Sequence, residues 1–113
     1  MALKSRSDLI RMTLEFLNAV AAGQTPAAED VETLDKLIDG KVAELARRRI
    51  IWVPDPNAIE EELLEPLATL LGDLAAPSFG QPRDAARRVE AENRLREMQC
   101  ADDTTAVVRA DYF

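Results

Sequence analysis

Histidine is absent from this chain of 113 residues, and cysteine occurs once, at Cys100. Without histidine the chain lacks the commonest general base. Cys100 has no histidine to draw its thiol toward thiolate, and there is no glycine-rich phosphate loop. No catalytic machinery is visible, so the expectation is a non-enzyme with no cofactor. A single cysteine closes no internal disulfide, which fits a reducing compartment. Asp35, Asp39 and Glu44 flank Gly40, but they lack calcium-loop spacing and follow a helical period, so no metal site is expected. No apolar run approaches the ~18 residues of a membrane span. The opening MALKSRSDL has no signal-peptide core. These absences suggest a soluble protein made in the cytoplasm.

Basic residues are missing from positions 50–76, which hold six acids. That block accounts for most of the formal net charge of −7. Such a balance is not the footprint of a protein that grips phosphates. Apolar residues make up 47% of the chain, enough for a globular core rather than global disorder. Leucine and alanine dominate, which favours helix. The length suits a single domain.

Four helical segments and a tail are expected. The first covers residues 8–22, with Leu9, Met12, Phe16, Leu17 and Val20 in helical period, Ser7 as N-cap and Gly23 as terminator. The second follows Thr25–Pro26 and runs to about Arg48, with Leu34, Ile38, Val42 and Leu45 on its inner face. Gly40 inside it implies either close packing or a slight bend. IIWV, residues 50–53, reads as an extended link or a short strand. The third helix starts near Pro56–Asn57. Its leucine stripe is wide enough to face several neighbours, so it is expected to be central, with a kink at Pro66 or two shorter helices meeting there. Pro77 and Gly80 then turn the chain, and Phe79 folds back over the helix ends as a lid. The fourth helix, about 83–99, has a thin apolar face of Ala85, Val89, Leu95 and Met98. The fold class is therefore all-α: a small bundle of three to four helices over residues 1–99, with an extended C-terminal tail over 100–113.

Two charge blocks and the tail are the candidate sites. Arg47, Arg48 and Arg49 close the second helix. They either complement its C-terminal dipole, at roughly 0.3–1 kcal/mol each, or meet a neighbouring chain or nucleic acid. A helix-turn-helix across this region is a poor reading, because its second helix would carry Glu60, Glu61, Glu62 and Glu65 toward phosphates. Those glutamates suit the start of the third helix instead. In the tail, Val107, Val108, Arg109, Tyr112 and Phe113 either fray or dock by strand addition and aromatic anchoring.

The ordered set DLIRMTLEFLNAV, PAAEDVETLDKLIDGKVAELA, IIWV, LEPLATLLGDLAAPSFG and AENRLR, spread over residues 5–99, resembles the head-to-tail adaptor proteins of tailed bacteriophages and gene transfer agents. In those relatives the end of the second helix is richer in aromatics, where this chain has RRR before IIW. The resemblance implies a structural virion protein at the head–tail junction. It would form a homo-oligomeric ring, a dodecamer by family likeness, between the portal protein and a tail component. DNA would pass through without being specifically bound, and no membrane would be involved. The C-terminal segment would reach into a neighbouring component. Arg47, Arg48 and Arg49 could pair with Glu60, Glu61 and Glu62 between subunits. The alternative is a free cytoplasmic helical module that binds one protein partner.

Overall fold

The computed structural model describes residues 3–21 and 23–110, with side chains described through Gln99. The chain is an all-α bundle of four helices, as expected. A strand β1 (Leu3–Lys4) precedes α1 (Arg6–Phe16) and α2 (Ala28–Arg47). A strand β2 (Ile59–Glu60) leads directly into α3 (Glu61–Ala75). A 3-10 turn (Ala76–Phe79) then precedes α4 (Ala85–Ala110). The strands pair antiparallel, Leu3 with Glu60 and Lys4 with Ile59.

Local chemistry moves several boundaries from their expected places. Helix α1 is capped by Ser5, not Ser7. Asp8 lies three residues on and completes a capping box, donating its N–H to Ser5 Oγ at 3.2 Å and accepting the Ser5 N–H at 2.9 Å. The helix stops at Phe16 rather than near residue 22, because Asn18 takes a left-handed conformation with φ 58°. The Asn18 and Ala19 N–H groups then bond to the Glu15 and Leu14 carbonyls, the paired pattern of a Schellman ending. Helix α2 starts at Ala28 with no side-chain cap, so Thr25 and Pro26 stay outside it. It ends like α1: Arg49 has φ 57°, and the Arg49 and Ile50 N–H groups bond to the Ala46 and Leu45 carbonyls. Helix α3 begins at Glu61, later than Pro56–Asn57. Asp55 closes its own turn by accepting the Asn57 N–H, and residues 59–60 are taken by the strand pair. The α3 helix is unbroken across Pro66, which lies in its second turn.

The core forms around α3, which touches α1 on one side and α4 on the other and also meets α2. Leu9 and Leu14 of α1, Leu34 and Ile38 of α2, and Leu70 and Leu71 of α3 are almost fully buried. The IIWV link is extended but not a strand, with Ile50, Ile51 and Val53 inside and Trp52 outside. Gly80 takes φ 74° after the 3-10 turn, and the half-buried Phe79 ring packs on the core, as the corner was read. Gly40 is not a close-packing position, since a Cβ there would meet nothing within 4 Å. The close approach is at Gly72, where the Phe16 ring lies against α3.

Helix α4 differs most from expectation. Its buried face is Ala91, Glu92 and Leu95, with Met98 partly covered, while Ala85 and Val89 face out. Ion pairs set that rotation: Arg88 reaches Asp73 on α3 and Glu92 reaches Arg48 beside α2. The helix also continues past Cys100 to Ala110, where an extended tail was expected. Propagating an established helix adds a hydrogen bond for each residue fixed. Ala101, Ala106 and Ala110 are strong formers, so they outweigh the strand-like Thr104–Val108 patch.

Candidate functional site

The end of α2 and the link that follows it carry surface groups that the fold does not use. The Schellman ending of α2 places Arg47, Arg48 and Arg49 in succession on the surface. Arg48 is spoken for: its guanidinium holds Glu44 at 3.1 Å and donates to both oxygens of buried Glu92, at 2.8 and 3.1 Å. Those two carboxylates, with their hydrogen bonds, raise the Arg48 pKa further. Lys41, itself buried, joins the cluster through Glu44 at 3.3 Å. Among the described residues, Arg47 and Arg49 have no ion pair and no side-chain hydrogen bond.

The chain then runs inward at Ile50 and Ile51, and outward at Trp52. That indole is 68% exposed, the most exposed large hydrophobic side chain among the described residues. The Trp52 backbone N–H donates to Gln99 Oε1 on α4 at 3.4 Å. Beside it lies a groove of about 470 Å³, lined by Ile51, Trp52, Leu63 and Met98 with the carboxylates of Glu60 and Glu62. Glu60 and Glu62 have no cationic partner among the described residues, whereas Glu61 faces Lys4 at 3.9 Å. The structure thus splits each charge block. Arg48 and, weakly, Glu61 are used within the chain, and Arg47, Arg49, Glu60 and Glu62 are not.

A second charged cluster lies at the start of α4. Asp73, buried on α3, accepts from Arg83 at 2.7 and 3.0 Å, from Arg88 at 3.0 Å and from the Asp84 N–H at 2.8 Å. Burial alone would raise its pKa, but these donors outweigh it and hold the carboxyl below the ordinary range. Asp84 in turn caps α4, accepting the Ala86 and Arg87 N–H groups. Every member of this cluster has its partners, so it pins α4 to α3 rather than awaiting a ligand.

In the tail, Val107, Val108 and Arg109 belong to the last turns of α4, and Tyr112 and Phe113 lie outside the described residues. Among the described residues no group of three His, Cys, Asp or Glu could hold a metal ion, and no helix is long and apolar enough to cross a membrane. Sequence reasoning missed Trp52 as a surface group. The signal was present: with Ile51 and Val53 turned inward, the residue between them in an extended link must face out. No protein-family model, curated protein or solved structure matches the chain.

Proposed function

We propose that this chain is a non-enzymatic head-to-tail adaptor of a virion, joining the portal of a DNA-filled capsid to the tail as one subunit of a ring. The observation that carries the reading is a completed core beside an uncompleted surface. The bundle buries most of its leucines, yet leaves Trp52 exposed among charges of both signs that no described residue neutralises. Such a surface suits assembly with other subunits. The family resemblance supplies which assembly. A net charge of −7 suits a DNA passage, since it repels phosphates and keeps the duplex from sticking.

In this reading the protein acts by docking. The C-terminal segment, with Val107, Val108, Arg109, Tyr112 and Phe113, engages a neighbouring component. The bundle keeps its shape as it does so. The test is to mix the purified chain with its cognate portal and image the product by electron microscopy. A ring of added density on the portal is expected, and the absence of any complex overturns the proposal. Truncation after Gln99 keeps every described residue of the core cluster, which ends at Leu95, together with Met98 packed against it. The shortened chain should keep its helical signal and lose portal docking; undiminished docking would remove the tail from the mechanism.

A further inference from the structure

Arginine rarely takes the left-handed conformation, which costs an L-residue with a side chain roughly 1–2 kcal/mol that glycine avoids. Arg49 takes it, with φ 57°. That backbone is accounted for inside the fold, by the Schellman ending of α2, whose Arg49 and Ile50 N–H groups bond to the Ala46 and Leu45 carbonyls. The side chain is not used there: it is exposed and makes no hydrogen bond or ion pair among the described residues. Arg47, two residues earlier, is in the same condition. Arg48 between them has taken both Glu44 and Glu92.

Across the Ile50–Val53 link lies the groove with the opposite requirement. Its floor is Ile51, Leu63 and Met98, its rim is the exposed Trp52, and Glu60 and Glu62 supply two unmatched negative charges. A volume of about 470 Å³ falls within the ~300–1,000 Å³ of sites that hold compact ligands. An aromatic face beside carboxylates over an apolar floor is a receptor for a long cationic side chain. The ring attracts the cation, the carboxylates pair with it, and the floor takes its methylenes.

We propose that this groove receives Arg47 and Arg49 of a second copy of the same chain. One guanidinium lies on Trp52, and the pair neutralises Glu60 and Glu62. Both halves of the match are carried by one polypeptide and left open among its described residues, so the contact passes from copy to copy. This names the subunit contact of the adaptor reading, but it needs no portal and is tested without one.

The experiment is sedimentation equilibrium of the full chain over a range of concentrations, with emission from Trp52, the only tryptophan, followed in parallel. The wild type should associate as concentration rises, and the emission should shift to the blue as the indole leaves water. The double variants R47E/R49E and E60K/E62K should each weaken association roughly tenfold or more, and an equimolar mixture of the two should restore it. Arg49→Gly keeps the backbone turn and should fold at least as well while associating less, which separates a lost contact from a lost fold. Four results would overturn the proposal. They are a wild type that stays monomeric up to about millimolar, the weak limit of specific binding; charge-reversed chains that associate as wild type does; a mixture that recovers nothing; and association that leaves the Trp52 emission unmoved. Self-association by this contact with no portal complex would reject the adaptor role and leave the contact standing.

Discussion

Two glycines with opposite roles show what single residues contribute. Gly80 has φ 74° and closes the turn after the 3-10 segment, so a Cβ there forces a strained backbone. Gly40 lies inside α2 with open space around it, so it contributes only the entropy cost of glycine in a helix. Gly80→Ala should lower unfolding free energy by about 1–2 kcal/mol, and Gly40→Ala should raise it by about 0.5–1 kcal/mol. Urea melts of the two variants read the opposite signs. Gly72 is a third case. A Cβ there would come within 2.5 Å of Phe16 Cδ1 and 2.8 Å of Cε1, on a ring whose surroundings include the Arg87 guanidinium 5.4 Å from its centre. Gly72→Ala should cost about 1–3 kcal/mol by overpacking. Adding Phe16→Leu should recover part of that loss, seen as coupling in a double-mutant cycle.

At the scale of elements, one buried carboxylate decides how α4 sits. Asp73 joins α3 to Arg83, to Arg88 and to the Asp84 backbone. Its folded pKa lies below the ordinary 3.8, so its contribution is fully present above that value and is lost as pH falls through the depressed folded pKa. Asp73→Asn should therefore cost about 2–4 kcal/mol at neutral pH. The gap between variant and wild type should close in strong acid, as thermal melts across a pH series would record.

The helices themselves were legible in the sequence, because the leucine periods of α2 and α3 fix their inner faces whatever the neighbours do. Their ends were less so. Leu17 and Val20 continue the period of α1 past the point where Asn18 reverses the chain, and hydrophobic spacing carries no information about φ. Asparagine at least tolerates the left-handed region. Arg49 gave no such sign, since its conformation follows from burial of Ile50 against the end of α2. The face of α4 was hidden for a related reason. Val89 is the most apolar residue of its first two turns, but ion pairs to Asp73 and Arg48 turn it outward. Half of the candidate site was visible as blocks of like charge. Which members stay unmatched depends on contacts such as Arg48–Glu92, 44 residues apart.

For the molecule as a whole, α3 is the common wall of the bundle. Helices α1, α2 and α4 all rest on it, and the strand pair feeds into its first turn. Helices α1 and α2 also meet each other directly, but α3 supplies more of the buried leucines than any other helix. Unfolding should accordingly be cooperative, with no stable sub-bundle along the way. In native-state hydrogen exchange, amides in the middle of α3 should exchange only through global opening, with protection matching the equilibrium unfolding free energy. A slower denaturant dependence there than in α1 would contradict this. A body organised around such a keystone cannot yield locally under load: it holds its form entire or it surrenders all of it at once.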